Sequence, residues 1–81
     1  MCVSVRVRIL GEEHLIKGDA PADYIKKLAQ HVDTHLWKIQ QSNPTLPRHK
    51  AAILAALNIA DELERLRVEH DELLKLMEEA N

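Results

Sequence analysis

Phenylalanine is absent from this 81-residue chain, and Tyr24 and Trp37 are its only aromatic residues. An interior without aromatic bulk must be built from aliphatic and alanine side chains, which suits helix packed on helix rather than a lined cofactor pocket. Cysteine occurs once, at Cys2. No disulfide can therefore close within the chain, and a reducing compartment is expected. The chain has two glycines and no glycine-rich phosphate loop, and no nucleophile stands beside a base in a named pattern. No apolar run approaches the ~20 residues of a membrane span. The opening Met-Cys-Val-Ser-Val-Arg-Val-Arg alternates and carries arginines, unlike a signal peptide. The expectation is a non-catalytic protein with no cofactor, no metal and no membrane partner.

Net charge is small, but the charges are sorted. Residues 1–50 hold eight Lys and Arg against five Asp and Glu, and residues 51–81 hold three against eight. A basic front on an acidic rear suggests that an acidic partner meets the front. Ordinary sorting of solvated faces would give the same pattern. The basic excess is too small for nucleic-acid binding to be expected. A chain this short buries only about 60% of its unfolded surface, so a monomeric core would be marginal.

What the chain has in abundance is helix with a seam. Between Lys50 and Asn81 apolar residues recur in alternating steps of four and three, the heptad pattern of a coiled coil. Ala56, Leu63, His70 and Met77 take the a positions; Ala52, Ile59, Leu66, Leu73 and Ala80 take d. From Ala51 to Ala60 the helix is apolar on nearly every side, which predicts burial all round within a globular head. From Asp61 the stripe narrows and should project, leaving it wet unless a second chain covers it. Ala56, Ile59, Leu63, Leu66, His70, Leu73 and Met77 are thus the predicted homodimer interface. Glu62 at g and Arg67 at e, five residues on, would meet across a parallel pair. Leu74 and Leu76 widen the stripe and leave a dimer of dimers open.

Ahead of the long helix, Val3, Val5, Val7 and Ile9 alternate with Ser4, Arg6 and Arg8 as a strand with one dry face. Leu10-Gly11-Glu12-Glu13 then predicts a turn with Gly11 at the first centre of a type II′ bend, and His14 to Lys17 return as a shorter strand. Asp19 is placed to cap a helix that has Pro21 in its first turn. That helix buries Ile25, Leu28, Ala29, Val32, Leu36 and Ile39 and ends near Gln41. The stretch Ser42-Asn43-Pro44-Thr45-Leu46-Pro47 breaks it, and Pro47 begins the long helix as an antiparallel neighbour. The predicted fold is α+β: a hairpin over 3–17, a helix over 20–41 and a long helix from 47. Residues 1–60 form the head and 61–81 the coiled-coil stalk.

Polar residues in apolar settings are the remaining candidates. His31 and His35 are one turn apart beside Tyr24, a spacing that can bind zinc, but no recognisable motif supplies the further ligands. Two polar residues at a core edge is the plainer reading. His70 at an a position either fixes register or is a tolerated wet position; in a parallel dimer two such imidazoles would face each other, and acid should weaken the pair. Trp37 lies about 120° from the centre of its helix's apolar face, where it marks a contact with another chain or lies under the hairpin or loop. Asn58, inside the apolar stretch, is expected to be buried and to bond hairpin or loop backbone. Arg6, Arg8 and Lys50 are the candidate basic contacts for a partner.

With these residues in hand, the chain resembles the ZapA family of bacterial cell-division proteins. The matching pieces are Val5-x-Val7-x-Ile9-x-Gly11 with its return strand, Tyr24-Ile25-x-x-Leu28-Ala29, Asn43-Pro44-x-Leu46, and the string from Lys50 to Leu63. The resemblance implies a hairpin-plus-helix head that dimerises and a coiled coil that can join dimers into tetramers. It also implies a cytoplasmic role at the mid-cell division site: binding FtsZ, bundling its protofilaments and stabilising the Z-ring. The competing reading is a coiled-coil dimerisation module of an unrelated cytoplasmic assembly.

Overall fold

The computed structural model describes residues 2–80, so the expected end of the stalk at Asn81 lies outside the described residues. Two strands, β1 (Val3–Ile9) and β2 (Glu12–Gly18), precede two helices, α1 (Ala22–Ser42) and α2 (Arg48–Glu79). The strands pair antiparallel with Val5 opposite Ile16, Val7 opposite His14 and Ile9 opposite Glu12. Alternation then puts Val3, Val5, Val7 and Ile9 on one face of the hairpin and Arg6 and Arg8 on the other. Val5 and Val7 are buried against Ile25 of α1, with Val3, Ile9, Ala20 and Ala29 packed around them.

The turn differs from the type II′ expectation. Ile9 pairs with Glu12, so the loop is Leu10-Gly11, and both residues have positive φ, 50° and 77°. That is the signature of a type I′ turn, whose twist matches the flanking strands. Leucine is an uncommon choice for a left-handed position. Here its side chain drops into the second core cluster, formed with Leu36 and Ile39 of α1 and Ala51 and Ala55 of α2. Ile9 touches both clusters and joins them.

Proline, not a side-chain cap, starts each helix. Pro21 and Pro47 stand at the N-cap positions with no side-chain cap hydrogen bond. The expected Asp19 cap is therefore corrected: Asp19 Oδ1 instead accepts from Cys2 Sγ at 3.2 Å. At the other end of α1, Asn43 N–H donates to the Ile39 carbonyl at 2.9 Å, and the loop closes with Leu46 N–H on the Asn43 carbonyl at 3.1 Å. That tight link turns α2 back along α1. Ala51 and Ala55 are buried there against Leu36 and Ile39 of α1.

The chain is far from spherical. Its radius of gyration is 16.7 Å, against about 12 Å for a compact domain of this length. Beyond the region that packs on α1, α2 continues without a neighbour, and its residues from Leu63 onward are exposed.

Candidate functional site

Helical periodicity assigns α2 three faces. Ala51, Ala55, Ile59 and Glu62 recur at steps of four, four and three and look toward α1; the two alanines are buried and the other two half-buried. The predicted seam lies beside that row. Ile59 is shared with it, whereas Ala56 and His70 are exposed, as are Leu63 (48%), Leu66 (62%), Leu73 (56%) and Met77 (58%). An apolar stripe that wet, with Leu74 and Leu76 also exposed beside it, marks an interaction surface rather than a finished one.

The third face corrects the expectation that Ala51 to Ala60 is buried all round. Ile53 and Leu57 lie about opposite Ala51 and Ala55 by the ~100° step of the helix, and they are 58% and 61% exposed. Asn58 is exposed as well, so its amide meets water and needs no backbone partner. Leu28 of α1, expected in the core, is half exposed, as is Trp37.

Arg6 and Arg8 stand together on the outer face of the hairpin, both paired to Glu13, at 3.8 and 3.4 Å. They also line a shallow groove between β1 and α1 with Lys26, Gln30 and Asp33. Lys26 is the addition here; its place on α1 carries no local signal in the sequence. Lys50 is exposed in the first turn of α2 and does not line that groove. Its neighbour Arg48 forms an ion pair with Glu12 at the start of β2.

His31 and His35 have a third companion that spacing along one helix does not reveal. Glu62 of α2 reaches across to both, with Oε2 3.2 Å from His31 Nε2 and Oε1 2.5 Å from His35 Nε2. The two rings lie edge to face with centroids 4.9 Å apart. Within the single chain Glu62 therefore points at its own α1. Arg67 likewise pairs within its own helix, Nη1 to Glu64 Oε1 at 3.2 Å.

Comparison with known proteins matches this architecture and this chain together. The family model described as "Cell division protein ZapA" matches residues 5–81. Among curated relatives, Cell division protein ZapA of a Geobacillus species is 37% identical over 71 residues, 88% of this chain and 82% of the relative. The protein of that name from Geobacillus thermodenitrificans is 38% identical over 69 residues, 85% and 76% respectively. A solved structure described as a ZapA mutant dimer from Geobacillus stearothermophilus superposes with a TM-score of 0.73 at 29% identity, covering 96% of this chain and 91% of that one. An uncharacterised conserved protein from Pseudomonas aeruginosa gives 0.75 at 25% identity over 94% and 85%. On the extent of these matches, the chain belongs to the ZapA family of cell division proteins.

Proposed function

We propose that this chain is a non-catalytic homodimer that binds FtsZ, crosslinks and bundles its protofilaments, and so stabilises the Z-ring at mid-cell in the cytoplasm. The observation that carries the reading is the wet apolar seam of α2 in a member of a cell-division family. Leu63, Leu66, Leu73 and Met77 are about half exposed or more, and a second copy of the same helix is the cover a heptad specifies. The described dimer of the Geobacillus stearothermophilus relative supports that occupant. Residues 1–60 then act as the binding head and 61–81 as the stalk.

A crosslinker needs no chemistry of its own, only two copies of one binding face at a fixed separation. Each weak contact gains from the effective concentration set by the other. Arg6, Arg8 and Lys50 are the contacts assigned to that face, toward an acidic filament surface. The test is cosedimentation of purified chain with FtsZ filaments. Wild type should pellet with and bundle the filaments, and Arg6→Glu with Arg8→Glu should lose bundling while light scattering still reports a dimer. Undiminished bundling by the double variant moves the face elsewhere. A wild-type chain that dimerises but never pellets with FtsZ leaves only a dimerisation module.

A further inference from the structure

We propose that His31, His35 and Glu62 form a binding site for a Zn2+ ion that ties α2 to α1 at the base of the stalk. One donor atom from each of the three residues lies within 4.8 Å of the other two. Around a tetrahedral zinc with bonds of ~2.0–2.2 Å, neighbouring ligand atoms stand about 3.3 Å apart. Both imidazole Nε2 atoms already aim at the Glu62 carboxylate, at 3.2 and 2.5 Å. An ion between them would require the His35–Glu62 approach to widen from 2.5 Å toward that spacing.

The fold prepares this arrangement from two directions. Steps of four place both imidazoles on one side of α1, a turn apart. Glu62 ends the row Ala51, Ala55, Ile59 that looks toward α1, and the close alanine contact sets how near it comes. The His35 side chain is largely covered at 14% exposure, while His31 and Glu62 are about half open at 54% and 44%. The covered ligand is held by packing, and the open side gives an entry path and room for water as fourth ligand. Two nitrogen donors and one carboxylate select zinc over magnesium or calcium, which prefer oxygen throughout.

Other clusters of the described residues do not match it. His14 meets only Glu12, at 3.8 Å, and Cys2 meets only Asp19. Coordination would replace the His31–Glu62 hydrogen bond and the His35–Glu62 contact with bonds to one ion shared between the helices. Because α2 loses its neighbour just beyond Glu62, that ion would set the direction in which the stalk leaves the head.

The experiment is calorimetric titration of tag-free, chelator-stripped full chain with zinc chloride alone, then of His31→Gln, His35→Gln and Glu62→Gln. The expected result is one ion per chain. Each substitution should weaken binding by at least the ~10–100-fold that losing an outer-shell support costs at known zinc sites. Zinc should raise the melting temperature of wild type but not of Glu62→Gln, whose side chain is nearly isosteric. Cobalt in place of zinc should give a four-coordinate visible spectrum that each substitution abolishes. Circular dichroism identifies any variant that fails to fold, and the remaining two then carry the comparison. The proposal is overturned by absent saturable binding, by equal affinity in folded variants, or by half-stoichiometric binding that none of the three substitutions weakens.

Discussion

The backbone N–H of Leu10 donates to Asp33 Oδ1 at 2.8 Å, across 23 positions of sequence. This bond pins the hairpin turn to α1 at the point where Leu10 holds a left-handed φ of 50°. The backbone strain, about 1–2 kcal/mol for an L-residue there, is offset by what the side chain does. Leu10 is buried among Leu36, Ile39, Ala51 and Ala55, so one turn residue locks the hairpin to both helices.

Two substitutions separate those terms. Asp33→Ala should destabilise by about 1–3 kcal/mol, because a part-buried N–H loses its acceptor. Leu10→Asn suits the left-handed position better, but burying a leucine is worth more than the strain it relieves; truncating one costs ~2–5 kcal/mol. Net destabilisation is therefore expected for both. Urea unfolding at one fixed chain concentration measures them, since an associating protein gains apparent stability by mass action. A Leu10→Asn chain more stable than wild type would remove the side chain's anchoring role.

The two glycines should respond in opposite ways. Gly11 sits at φ +77° with nothing within 4 Å of an added Cβ, so Gly11→Ala meets no clash and isolates backbone strain. A loss of about 1 kcal/mol is expected. At Gly18 the added Cβ would reach Ile25 Cδ1 at 3.4 Å, an ordinary contact with the far end of a flexible side chain, and its φ is not left-handed. Gly18→Ala should be neutral or slightly stabilising, through the lower entropy of the unfolded chain. The same unfolding titration, run on both, checks the contrast.

How much of this was legible in the sequence follows from how local each signal was. The alternation of Val3, Val5 and Val7 and the spacing of Ile25, Leu36 and Ile39 are read along one element, and the structure places these side chains as read. Helix starts at Pro21 and Pro47 are equally local. The turn type was missed because left-handed leucine is locally unfavourable and is held by Asp33, far along the chain. The meeting of Glu62 with His31 and His35 was hidden for the same reason: heptad lettering follows one helix, while the link between the helices sets Glu62 opposite the two imidazoles. Hydropathy also overstated the burial of Ile53 and Leu57, since composition records that a face is apolar and not what covers it.

Leu66 and Leu73 test the seam most directly, being more than half exposed in the single chain and therefore removable without opening its core. Leu66→Glu with Leu73→Glu should shift light scattering from dimer toward monomer at micromolar concentration while the hairpin–α1 core stays folded. A carboxylate forced into a closed a/d seam is costly to bury. An unchanged molecular mass would place self-association on another surface. The exposed Ile53 and Leu57 are the first place to look.

Lys26 and Lys50 divide the basic surface. Lys26 shares the β1–α1 groove with Arg6 and Arg8, and Lys50 lies outside it on α2. If an acidic filament segment lies in that groove, Lys26→Glu should weaken cosedimentation with FtsZ about as much as either arginine change. Lys50→Glu should do less. All of these losses should shrink as salt is added, because exposed pairs are screened over about 10 Å at 0.1 M. A larger effect at Lys50 than at Lys26 would shift the contact to the start of α2.

His70 occupies an a position of the predicted seam, is exposed, and is flanked on its own helix by Arg67, Glu69 and Asp71. A polar residue at a reduces the stability of a coiled coil, so His70→Leu should tighten self-association, read as a lower chain concentration at half-dimer. In a parallel pair the two imidazoles meet at one layer of the seam, and in an antiparallel pair each faces a d residue of the other copy. Either way a polar group is taken out of water without a guaranteed partner, and leucine removes that cost. A His70→Leu chain that associates no more tightly than wild type would take His70 out of the seam.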